Sequence, residues 1–169
     1  DFTSPINFVH TRTIVDPNFG GKVTGKVGRT TLGFLVADDT AAGKRDDPSD
    51  PALGENAKVT IGRARYDLYS ESHIGATFTD REFLDSYSRV AVLDGQFRLG
   101  RATRLNFIAA QSQHRDEAGN ERDGPALGAF LGHNGRNFTA STFFGRTDPD
   151  FRTDVGFVRR VDQQRNFTN

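Results

Sequence analysis

The stretch RVAVLDGQFRLGRATRLNFIAAQSQ, Arg89 to Gln113, alternates, reverses and alternates again. In its first half Ala91, Leu93, Gly95, Phe97 and Leu99 fall on one side of an extended chain, and Asp94, Gln96 and Arg98 on the other. Side chains repeat every second residue in a strand and every 3.6 residues in a helix, so this pattern selects strand. Gly100-Arg101 interrupts the run as a tight turn, and Arg104 to Gln113 resumes with Leu105, Phe107 and Ala109 on the apolar side. The two halves read as one β-hairpin.

Equivalent Gly-Arg reversals stand at Gly28-Arg29 and Gly135-Arg136. The first separates Lys22 to Val27, where Val23, Gly25 and Val27 alternate with Lys22, Thr24 and Lys26, from Thr31 to Ala37. The second separates Ala126 to Leu131 from Asn137 to Phe144. Ala57 to Asp67 carries Val59, Ile61, Arg63 and Arg65 on one face, and Ile74, Ala76 and Phe78 oppose Gly75, Thr77 and Thr79 after a short turn at residues 70–72. Runs at Phe8 to Val15 and Val155 to Val161 bring the expectation to about ten strands, most simply an even-numbered barrel or part of one.

Between the hairpins the connections are longer and acidic: Asp38 to Asn56, Asp80 to Tyr87, His114 to Asp123, and the turn Asp148-Pro149-Asp150. Short turns at one end and long loops at the other are the layout of a transmembrane β-barrel. The best runs last about nine to eleven residues, the length of a tilted membrane strand. The expected fold is therefore all-β, an antiparallel up-and-down meander forming a transmembrane β-barrel or a segment of one. Residues 1–169 form a single barrel domain or a fragment of a larger barrel on this reading, and with no cationic-apolar leader before Asp1 an excised segment or mature fragment is expected.

Composition narrows the function classes. Hydrophobic residues make up 35% of the chain and mean hydropathy is −0.58. No apolar run reaches the roughly 20 residues of a membrane helix, but barrel strands alternate and escape that test. Basic and acidic residues balance at 22 each, so no global field recruits nucleic acid. The chain has no cysteine, which removes thiolate chemistry and disulfides. The 15 phenylalanines against three tyrosines and no tryptophan count against a membrane wall, because aromatic girdles favour tyrosine and tryptophan.

No catalytic residue, cofactor or metal is assigned. His10, His73, His114 and His133 are scattered, and the aspartates of the 38–50 stretch lack the spacing of a calcium loop, so a solvated loop is the better reading. Glu82 with Asp85, or Asp116 with Glu117, read as loop acids rather than a glycosidase pair. Strand-borne charges are more informative, because a lipid-facing arginine near midplane costs about 2–4 kcal/mol. Arg63, Arg65, Asp94, Gln96, Arg98 and Arg104 are therefore the expected lumen lining, with Arg146 in the lumen or at a rim. Charge pairing that keeps the wall closed is preferred to solute selection. Arg29, Arg101 and Arg136 read as interface anchors.

Five blocks carry a resemblance: GGKVTGKVG (Gly20 to Gly28), GATFTDREF (Gly75 to Phe83), DGQFRLG (Asp94 to Gly100), GPALGAF (Gly124 to Phe130) and DPDFRTDVGFVRRVD (Asp148 to Asp162). Together they resemble a family of bacterial outer-membrane proteins of unknown function in which a family-9-type carbohydrate-binding domain precedes a carboxy-terminal barrel. The resemblance implies an outer-membrane location, the lipid bilayer as partner, and a preceding carbohydrate-binding domain in the parent chain; it transfers no sugar-binding residue. The function expected is a pore, a translocation wall or an anchor for that domain. A soluble β-sandwich ligand-binding module, or a non-catalytic part of a carbohydrate-active hydrolase, is the alternative. Sheet-face polarity separates them, because a barrel turns apolar side chains outward and a sandwich buries them between layers.

Overall fold

A computed structural model describes residues 13–69, 71–156 and 161–169. Strands β1 (Pro17–Val27), β2 (Thr30–Asp39), β3 (Ala57–Tyr69), β4 (Ser72–Phe83), β5 (Ser86–Leu99), β6 (Thr103–Arg115), β7 (Glu121–Asn134), β8 (Thr139–Thr147) and β9 (Gln163–Thr168) follow one another in the sheet as in the chain. Every neighbouring pair is antiparallel. The fold is thus the all-β up-and-down meander that the alternation predicts. Among the described residues the sheet is open, with β1 and β9 each paired on one side only.

Left-handed backbone at Gly28 (φ 59°) and Gly100 (φ 74°) makes the β1–β2 and β5–β6 turns, a conformation glycine enters without a Cβ clash. The long-loop end is less uniform than the sequence suggests. The expected loop from Asp80 to Tyr87 is a two-residue turn at Leu84-Asp85, and the charged stretch from His114 to Asp123 shrinks to a five-residue loop at 116–120 between strand ends. Charge on either side of that loop marks the polar ends of long strands, because the backbone ladder does not depend on side-chain polarity. Phe8 to Val15 lies largely outside the described residues, and Thr13 to Val15 are not strand. Val155 and Gly156 likewise lie outside any strand, whereas residues 157–160 are not described.

The two faces differ sharply. One, here the outer face, presents Val23, Leu32, Phe34, Ala64, Phe78, Ala91, Leu93, Leu127, Leu131 and Phe144, matched across the register. These side chains are uncovered: Leu93 is 45% exposed, Phe34 50% and Val23 74%. Phe97 stacks on Phe107 on this open face, with ring centroids 6.0 Å apart. Toward the long-loop end the same face turns polar at Lys58, Asp80, Glu82, Arg89, Gln111 and Gln113.

The inner face carries the core. Val90, Val92, Ile108, Ala110 and Ala126 pack around Phe151, and Ala37, Val59 and Ile61 around Val155. Phe151 and Val155 belong to a strap that leaves β8 and crosses the inner face. Its backbone N–H groups would be orphaned there without acceptors. Arg152 N donates to Ser112 Oγ and Asp154 N to Ser88 Oγ, each at 3.1 Å, and Ser112 Oγ donates to Gly124 O at 3.1 Å. Gly124 is needed because a Cβ there would lie 2.4 Å from Phe151 N. Asp154 is tied to β5, yet the next residue, Val155, packs on Ala37 of β2. Those strands would stand about 14 Å apart in a flat sheet, so the sheet curls around the strap.

Candidate functional site

All six expected lining residues lie on the inner face, but they divide into two groups. At the centre Arg63 of β3 reaches across β4 to Asp94 of β5. Nη1 lies 2.7 Å from Oδ1 and Nη2 3.0 Å from Oδ2, and Nη1 also donates to Thr77 Oγ1 at 2.5 Å. The guanidinium passes over Gly75, where a Cβ would stand 2.9 Å from Nη2 and 3.1 Å from both carboxylate oxygens. A glycine on β4 is therefore what lets a β3 cation meet a β5 anion. Asp94 is 0% exposed. Two desolvated charges are tolerable here because the fork is bidentate.

Toward the short turns the second group is wetter. Asp67 holds Lys26 at 2.6 Å and Arg65 Nε at 3.0 Å. Gln96 donates to the backbone oxygen of Glu71 at 2.8 Å, and the Glu71 carboxylate faces Arg98 and Arg104. His73 Nδ1 and Asn106 Oδ1, buried in the same cross-strand row as Gln96, have no partner among the described residues. Arg146 instead shares the outer face with its register partner Leu127, next to the end of β8. It is not in the lumen, the first of the two places expected for it, and it does not join the inner-face group.

Sequence reasoning identified Arg63 and Asp94 but not Thr77 or Gly75, and it missed Glu71, which sits in a turn with φ 55°. Nor did it identify Ser88 and Ser112 as acceptors for the strap. Their inward parity was visible; the segment that crosses them was not.

Several of the remaining candidates are occupied locally. Asp39 accepts from the amides of Val15, Asp16 and Ala41, capping the 3-10 turn Thr40–Gly43. Asp47 accepts from Ser49, and the Ser49 amide and hydroxyl hold its carboxyl below the ordinary carboxylate range. Asp116 is held low by the Asn120 side chain and then the Asn120 and Ala118 amides, closing the β6–β7 loop. Glu117 pairs with Arg45 at 2.8 Å, which joins the β2–β3 and β6–β7 loops, and Glu82 pairs with Arg89 at 2.5 Å. His133 Nδ1 meets Thr103 Oγ1 at 2.9 Å. His10 lies outside the described residues.

The arrangement sets a hydroxyl beside an imidazole at Thr103 and His133, at the short-turn end of β6 and β7. What it offers is a curled wall with a buried charge lock, a polar interior end and a strap. No protein-family model, no curated protein and no solved structure matches the chain.

Proposed function

We propose that this chain is a segment of an outer-membrane β-barrel wall whose interior is plugged on the long-loop side by the strap, acting as an anchor or translocation wall rather than a wide pore. The supporting observation is the polarity of the two faces. Leu93, Phe78 and Phe34 lie uncovered outside, whereas Arg63, Asp94, Thr77 and Thr79 are buried inside. A sandwich reverses that arrangement. On β5 the apolar positions from Ala91 to Leu99 extend roughly 27 Å along the strand, which at a barrel tilt of about 35–45° is roughly 20 Å of height, comparable with though shorter than an outward band about 25 Å tall.

The aromatic objection weakens on position. Tyr69 is the last residue of β3 and Tyr87 the second of β5, so these two tyrosines stand at opposite rims. Strand parity among the described residues calls for at least one further strand before an all-antiparallel barrel closes. In a nine-strand meander β1 and β9 run parallel, so an all-antiparallel closure takes an odd number of further strands. The sequence resemblance adds a carbohydrate-binding domain as the cargo such a wall would anchor.

The absence of cysteine makes a direct test available. Leu93→Cys and Thr79→Cys, each carrying one fluorophore, are reconstituted in vesicles containing brominated lipid. Quenching of the Leu93 label and not of the Thr79 label is expected. A Leu93 label quenched by aqueous iodide and untouched by brominated chains overturns the membrane reading.

A further inference from the structure

The short-turn end of the inner face contains a local conflict that packing does not explain. Arg98 of β5 and Arg104 of β6 are direct register partners. Like charges directly opposite on one face repel. Among the described residues one carboxylate, Glu71, meets both, with Oε1 2.5 Å from Arg98 Nη1 and Oε2 3.4 Å from Arg104 Nη2. One carboxylate shared by two guanidiniums leaves the group net positive. Arg101, in the β5–β6 turn, brings a third.

All three arginines line a cleft of about 420 Å³ that also presents Asn134, Thr139 and Ser141. Unlike the Arg63–Asp94 lock, this group stays within reach of solvent, with the Arg98 and Arg104 side chains 34% and 51% exposed. A chain that breaks a pairing rule at a cleft, with no core to gain, does so where function is served.

We propose that this cleft binds an anionic group, phosphate or carboxylate, between Arg98 and Arg104, with Arg101 at the entrance and neighbouring hydroxyl and amide groups completing the shell. Arginine suits the task because its planar fork matches both oxyanions. The binding site stands on the cleft alone. Its role as the anion-selecting mouth of a passage rests on the barrel reading, since rings of arginine favour anions in pores.

The test uses the folded protein in zwitterionic micelles, titrated with inorganic phosphate while arginine side-chain NMR resonances are followed. Saturable shifts at Arg98 and Arg104 are expected. Arg98→Gln and Arg104→Gln should each weaken binding about tenfold, the loss of one charge-assisted contact. Glu71→Gln should tighten it several-fold by removing the competing carboxylate, and Arg122→Gln, at the other end of the sheet, should leave it unchanged.

Non-saturating shifts, or unchanged affinity in both arginine variants, overturn the proposal. So does weaker binding by Glu71→Gln with its strand signature intact, an outcome that keeps the test open should the arginine variants misfold. Micelles doped with phosphatidylglycerol separate the sources: competition with phosphate identifies a headgroup, and its absence a free solute. A protein that binds phosphate in micelles yet escapes brominated-lipid quenching keeps the site and loses the barrel.

Discussion

Asp94 shows how one residue's meaning depends on its neighbours. Its inward parity follows from alternation alone, because Leu93 and Gly95 flank it on the apolar side. Its consequence depends on Arg63 reaching it over Gly75. Removing one member of such a pair leaves a buried charge uncompensated, which costs about 3–5 kcal/mol. Asp94→Ala should therefore lower stability by that amount in urea unfolding monitored from detergent micelles. Replacing both partners together, Arg63→Met with Asp94→Leu, should recover most of the loss. If the double variant is as unstable as the single one, charge compensation is not what the pair supplies.

At the scale of elements the strap is the decisive piece. Phe151 is buried against β5, β6 and β7, and burying such a ring contributes roughly 1.5–3 kcal/mol. The strap's amides depend on Ser112 and Ser88, and its approach depends on the missing side chain at Gly124. Gly124→Val should displace the strap without unpairing β7, since valine favours strands. Limited proteolysis checks this: cleavage near Arg152 is expected in the variant under conditions where the parent stays intact. Equal resistance would show that the strap has room to shift. Recurring apolar residues predict a strand from Val155, but Val155 is apolar because it enters the inner face, and hydroxyls replace the ladder for the amide beside it.

For the whole molecule the test is how the outer band tolerates charge. In a bilayer a charge at its middle costs about 2–4 kcal/mol and near an interface about 0–1 kcal/mol. Leu93→Arg should accordingly destabilise the vesicle-inserted protein by the larger figure and Gln111→Arg, where the outer face turns polar, by the smaller. Denaturant titration from vesicles separates them. Similar small losses at both positions would mean that water, not lipid, covers the outer face.

The period-two alternation by itself determined eight of the nine described strands, their antiparallel meander and the inward facing of the six expected lining positions, because a strand's geometry ties parity to side. It did not show β9, and it read a strand from Val155, which lies outside any strand. It also marked Arg63, Arg65, Asp94, Gln96, Arg98 and Arg104 as one set, since burying charge among lipid is costly. Only the tertiary structure decided which of them meet. Reach across a neighbouring strand depends on sheet curl and on a glycine in the intervening one, and the strap and Glu71 arrive from segments with no periodicity to read. Local pattern is set by backbone geometry, whereas contact between distant segments is set by how the sheet bends.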